Sequence, residues 1–107
     1  MEERILEILK NHRGLNRAIT GRELARIIGE SDDRHIRSDI RELRAQGFPI
    51  ASSTKLPYGY FIVETLQEAN DFMQQLKNRL IENALTRRDF KRAIAKSFNG
   101  AGQIKMF

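Results

Sequence analysis

Arginines recur on one side of the segment SDDRHIRSDIRELRAQG, residues 31–47. A helix advances about 100° per residue, so the apolar residues Ile36, Ile40 and Leu43 mark its inward side. An α-helix fits the major groove of B-DNA, where arginine is the commonest reader of guanine. The pattern favours duplex DNA as the ligand. The side away from the core carries Arg34, Ser38, Arg41 and Ala45, flanked by His35, Arg37 and Arg44.

The alternative is a solvated charged surface, with pairs one helical turn apart such as Asp33–Arg37 and His35–Asp39. The spacing of His35 and Asp39 also suits metal ligands. Two ligands do not make a site, however, and no second cluster of such residues occurs in the sequence. We therefore expect no metal and no cofactor, and we expect His35 to lie beside phosphate or in solvent.

The arginine-rich helix is predicted over residues 31–46, and acidic residues occur in its first turn. Ser31 is the predicted N-cap. Asp32 and Asp33 would follow in the first turn, where carboxylates stabilise the free N–H groups and the positive end of the helix dipole. Gly47 is the predicted stop.

A shorter helix is predicted to begin at Thr20 and to end at Gly29. The sequence TGRE is a capping box, in which Thr20 accepts from the Glu23 N–H and Glu23 reaches back to the N–H of Thr20. The start of a helix favours phosphate, because its N–H groups are free and its dipole is positive there. Thr20 and Arg22 are therefore predicted phosphate contacts, although the cap is needed whether or not DNA binds.

A β-hairpin is predicted after the arginine-rich helix. Residues 48–52 and 60–63 favour strands, and Pro57 and Gly59 between them favour turns. Such tips often contact phosphate or the minor groove, and the alternative is an ordinary mobile loop. The predicted contacts in the tip are Thr54, Lys55 and Tyr58.

The order of elements predicts an α+β fold, a winged helix-turn-helix with three helices, a two-stranded wing and a C-terminal helical extension. A first helix over 2–12 precedes a connection in which Ala18 and Ile19 are predicted to form a short stub of strand. The predicted domains are a winged domain over 1–63, a basic helical extension over 64–98 and a flexible tail over 99–107.

Three stretches of the sequence resemble the winged helix-turn-helix of bacterial repressors of the biotin-operon type. They are GRELARIIG, IRSDIRELRAQGFPI and GYFI. The run from Ser52 into the basic helix is similar to small prophage-encoded winged-helix proteins. The resemblance covers residues 5–63 well and implies a DNA-binding regulator. One departure is an extra residue between the second and third helices, with Asp-Asp where Arg or Thr is frequent.

Apolar residues recur in the extension at the heptad steps of 3 and 4. Asn83 and Arg87 occupy the next two positions of that pattern. We predict a homodimer through residues 66–80, which would double the recognition helix and impose two-fold symmetry on the DNA site. The alternative is a helix folded back onto its own domain, and a break into two helices at Thr86 stays open. The heptad residues are Leu66, Ala69, Met73, Leu76 and Leu80.

The net charge of +5 comes from the C-terminal third of the chain. Residues 1–76 contain 11 Lys and Arg against 12 Asp and Glu, whereas residues 77–107 contain 8 against 2. Such a basic stretch suits nucleic acid, an acidic membrane surface or an acidic protein.

Several function classes are disfavoured by the sequence. The chain has no cysteine, so it lacks disulfides and thiolate metal sites. It has no apolar run of the roughly 20 residues that span a bilayer, and we expect a cytoplasmic protein. No catalytic motif is present, so we expect no enzyme.

The predicted function is sequence-specific binding of double-stranded DNA by a small prophage or bacterial regulator. The alternatives are a phage replication or assembly adaptor and an RNA-binding winged helix.

Overall fold

The computed structural model describes residues 2–97, and it confirms the α+β winged helix-turn-helix with a C-terminal helix. The chain divides into two compact units between Met73 and Gln74. The first turns of the C-terminal helix therefore belong with the winged domain, beyond the predicted boundary at Val63. The predicted tail over 99–107 lies outside the described residues. The elements are α1 (Glu2–Leu9), a 3₁₀ turn (Leu15–Arg17), α2 (Gly21–Ile28), α3 (Arg34–Ala45), β1 (Ile50–Ser53), β2 (Gly59–Ile62) and α4 (Leu66–Ser97).

One apolar core holds the first unit together. The predicted inward stripe of α3 is confirmed, because Ile36, Ile40 and Leu43 are at most 1% exposed. Burying a side chain of this size stabilises the fold by roughly 1.5–3 kcal/mol. A stripe buried so completely fixes the rotation of α3 about its axis. Other core residues come from α1, α2 and the sheet: Ile5, Leu9, Leu24, Ile28, Ile50 and Ile62.

The wing is an antiparallel pair of strands in which Ile50 lies opposite Ile62. The predicted strand stub before α2 is confirmed. The Ile19 N–H donates to the Tyr60 carbonyl at 2.9 Å, and the Tyr60 N–H donates to the Ile19 carbonyl at 2.7 Å. The wing is thus joined by backbone hydrogen bonds to Ile19, which directly precedes Thr20, the N-cap of α2.

The C-terminal helix α4 is continuous from Leu66 to Ser97, so Thr86 lies in its interior and not at a break. Thr65 caps its start, because Thr65 Oγ1 accepts from the Glu68 N–H at 3.1 Å. Between residues 2 and 97, we find no helix with the length and apolar character that a membrane span requires.

Candidate nucleic-acid interface

The helix α3 begins at Arg34, which corrects the prediction that Ser31 caps it. Residues 31–33 form bends, and Asp33 at the N-cap position makes no capping hydrogen bond. The reason lies in Asp32. Its Oδ1 accepts from the Arg34 N–H at 3.0 Å, and its Oδ2 lies 3.6 Å from Arg34 Nε. When an Asp side chain accepts a hydrogen bond from the backbone N–H of the second residue after it, it stabilises a turn instead of a helix.

The outward side of α3 carries positive charge unevenly. At about 100° per residue, Arg37 and Arg44 fall on one flank, whereas Asp39 and Glu42 fall on the other. Asp39 is half-buried and Glu42 is exposed. A polyanion against this helix would therefore favour the arginine flank. The predicted contacts on α3 are all exposed: Arg34, His35, Arg37, Ser38, Arg41 and Arg44.

Arg44 is exposed but makes contacts within its own domain. Its Nε donates to the carbonyl of Ile50 at 2.7 Å. Its guanidinium carbon lies 5.0 Å from the centre of the Phe72 ring, within the range of a cation–π contact. Arg44 thus links α3 to the first residue of β1 and to the second turn of α4.

The start of α2 confirms the first half of the predicted capping box. Thr20 Oγ1 accepts from the Glu23 N–H at 3.1 Å. The second half is wrong, because the Glu23 carboxylate binds Arg26, whose Nε donates to Glu23 Oε2 at 3.0 Å. The Arg26 guanidinium attracts the carboxylate more strongly than a backbone N–H does, because it carries a full positive charge. The hydrogen bond from Arg26 also lowers the pKa of the Glu23 carboxyl.

A carboxylate that sequence reasoning did not place here lies beside the first residue of α2. A Cβ on Gly21 would lie 3.5 Å from Asp33 Oδ2 and 3.4 Å from Tyr60 Cε2. Asp33 therefore stands at the end of α2 where the dipole favours an anion. A phosphate approaching Thr20 and Arg22 would meet this negative charge. No sequence signal predicts the contact, because it depends on how α2 and α3 pack.

The wing tip is shaped by Ser53, whose Oγ donates to the Lys55 carbonyl at 2.7 Å and accepts from the Lys55 N–H at 3.2 Å. The predicted contacts Thr54, Lys55 and Tyr58 are all exposed. Sequence reasoning overlooked Leu56, which is 78% exposed. Proteins that bind the minor groove frequently insert apolar side chains, Leu among them, between base steps.

His35 and Asp39 lie one helical turn apart on α3, a spacing that suits metal ligands. His35 is exposed on α3, and Asp39 is half-buried. Across the part of the chain that the structure describes, no group of three or more His, Asp or Glu side chains is arranged to hold a metal ion.

The family model of the HTH domain matches residues 2–61. The match runs from the start of α1 into β2 and includes every predicted contact residue. No curated protein and no solved structure matches the chain. Because the matched residues make up more than half of the 107-residue chain, this protein belongs to the helix-turn-helix domain family, a family of DNA-binding domains.

Proposed function

We propose that this protein binds double-stranded DNA at specific sequences, with α3 in the major groove, and acts as a small bacterial or prophage transcriptional regulator. One observation supports the proposal above all. The apolar stripe of α3, formed by Ile36, Ile40 and Leu43, is at most 1% exposed, so the arginine side of the helix must face solvent. Ser38 and Ala45 on that side are small and permit close approach to the groove floor. The proposed base readers are Arg34, Ser38 and Arg41.

Phosphate contacts set the register of such a helix without reading sequence. Arg37 lies on the arginine flank of α3, where it would meet one DNA strand. Arg22 and Thr20 at the start of α2 and Lys55 in the wing tip would extend this line of contacts. The remaining proposed contacts are His35, Arg44, Thr54 and Tyr58.

We further propose that two copies associate through α4. Apolar side chains at heptad spacing support this, since Leu66 is 77% and Leu80 is 70% exposed. A symmetric dimer presents two recognition helices to two half-sites related by a two-fold axis.

The groove assignment is tested by the affinity of Arg41→Ala for a duplex selected from a random pool, measured by fluorescence anisotropy. Loss of a base reader costs about 1–3 kcal/mol, or roughly 5- to 150-fold in affinity, and relaxes specificity at one position. Arg37→Ala should weaken binding to all sequences and reduce the salt slope by about one.

Arg26→Ala is the matched control, because Arg26 is paired with Glu23 on α2. It should leave both affinity and salt slope unchanged. An unchanged affinity of Arg41→Ala would overturn the groove assignment. Tighter binding to RNA than to duplex DNA would favour the RNA-binding alternative. Absence of salt-dependent binding to either would favour the adaptor.

A further inference from the structure

The heptad pattern of α4 continues beyond Leu80. Steps of 3 and 4 from that residue reach Asn83, Arg87, Phe90 and Ile94 in turn. All of them belong to one uninterrupted helix and therefore lie along one stripe. Phe90 is 65% exposed and Ile94 is 40% exposed. The stripe is thus apolar at both ends and polar in its middle.

We propose that this stripe pairs with a second copy of itself in antiparallel orientation, centred near Leu85. The inference rests on the self-association of α4 proposed above and specifies its geometry. Residues equally far from the centre then face each other across the two-fold axis. The facing pairs are Leu76 with Ile94 of the second copy, Leu80 with its Phe90, and Asn83 with its Arg87.

Within the part of the stripe from Leu76 to Ile94, which forms the seam between the two helices, this arrangement matches each residue with a partner of its own kind. Apolar residues meet apolar residues, and the Asn83 side-chain carbonyl accepts a hydrogen bond from the Arg87 guanidinium. A polar group in a helix seam is costly unless it is paired. A parallel, in-register pair would instead place Arg87 against Arg87 of the second copy. The two polar residues therefore select the antiparallel orientation, as polar seam residues do in coiled coils.

The residues beside the seam provide a signature of this orientation. Antiparallel pairing brings Lys77 near Lys91 of the second copy, whereas parallel pairing brings it near Phe72. The repulsion between the two lysines is screened by salt. Association should therefore strengthen as the salt concentration rises, and an acid at position 77 should replace the repulsion with attraction.

Single cysteines test the orientation directly, because the natural chain has none. Leu76→Cys and Ile94→Cys, each in the full chain with tags of different mass, are oxidised alone and as a mixture. Position 76 of one copy would face position 94 of the other, so the disulfide-linked heterodimer should form in the mixture and neither variant should link to itself. Like positions would be about 27 Å apart along the axis, far beyond the reach of a disulfide.

The opposite result, in which each variant links to itself, would overturn the antiparallel orientation. Absence of any link, together with a monomer mass of the natural chain in sedimentation, would overturn the association itself. Lys77→Glu serves as a second variant that leaves the seam intact and should tighten the dimer about fivefold at low salt; unchanged or weaker association would contradict the proposal. All these measurements omit DNA, so they succeed or fail independently of the DNA-binding proposal.

Discussion

The Glu68 carboxylate accepts a hydrogen bond from the backbone N–H of Leu15 at 2.8 Å and so joins the first turn of α4 to the 3₁₀ turn after α1. Its other oxygen accepts from the Glu64 N–H at 2.9 Å. These bonds, the one from Leu15 first, lower the pKa of the Glu68 carboxyl, because they favour its charged form. The ionised Glu68 side chain thus helps to hold the start of α4 against the winged domain.

Glu68→Gln should lower the free energy of unfolding at neutral pH by about 1 kcal/mol. Because the folded-state pKa of Glu68 lies below its ordinary value of 4.5, its contribution is full above that pH and is lost as the pH falls through the lowered pKa. Urea unfolding across the acid range checks both points. Glu82→Gln, an exposed residue of the same helix, is the control. If the natural chain and Glu68→Gln lose equal amounts of stability in acid, the ionised Glu68 carboxylate does not stabilise the fold.

Gly59→Ala should destabilise the domain by more than about 2 kcal/mol. Gly59 has a φ of +120°, and a Cβ there would overlap the carbonyl group of Ile19 and the Thr20 nitrogen. The added methyl would therefore separate the wing from the segment before α2. Gly29→Ala has the strained φ of +86° but meets nothing within 4 Å, so it should cost only about 1 kcal/mol. Thermal unfolding of both variants measures the two losses of stability. Equal losses would show that the close approach of Gly59 to Ile19 is unimportant.

Arg44→Ala should lower stability by about 1–2 kcal/mol, because it removes the hydrogen bond to the Ile50 carbonyl and the contact with Phe72. Arg37→Ala on the same flank should leave stability within about 0.5 kcal/mol of the natural chain. Chemical unfolding in the absence of DNA separates the two arginines. A stability of Arg44→Ala equal to that of Arg37→Ala would show that these internal contacts contribute nothing.

Asp33→Asn should raise the affinity for duplex DNA by roughly threefold at low salt, because it removes a negative charge beside Gly21 where a phosphate would approach. Asp39→Asn, on the acidic flank of α3, is the matched control and should change affinity less. Anisotropy titrations at two salt concentrations make the comparison. Weaker binding by Asp33→Asn would indicate that the carboxylate supports the DNA-bound geometry instead of opposing phosphate.

Local sequence patterns predicted most of the fold. The spacing of Ile36, Ile40 and Leu43 fixed the inward side of α3, and Thr20 and Gly29 marked the ends of α2, because these signals lie within a turn or two of the element concerned. The predicted start of α3, with Ser31 as its cap, lies too early, because the helix begins at Arg34. Two local interactions compete there, and Asp32 stabilises a turn where a Ser31 cap would stabilise a helix.

The candidate interface was predictable only where helical periodicity determines it. The helical periodicity of about 100° per residue alone predicts which arginines of α3 face outward. The contact of Arg44 with Phe72 and the position of Asp33 beside Gly21 join residues that are remote in sequence. Such contacts depend on how elements pack, and no local pattern encodes them.

The claim that α3 reads base edges is tested most directly by selecting bound duplexes from a random pool. The selection is carried out in parallel for the natural chain, Arg41→Ala and Lys55→Ala. If α3 reads base edges, the natural chain should enrich one motif, Arg41→Ala should lose preference at one position within it, and Lys55→Ala should enrich the same motif with lower affinity. No enriched motif for the natural chain, or an identical motif for Arg41→Ala, would contradict the placement of α3 in the major groove.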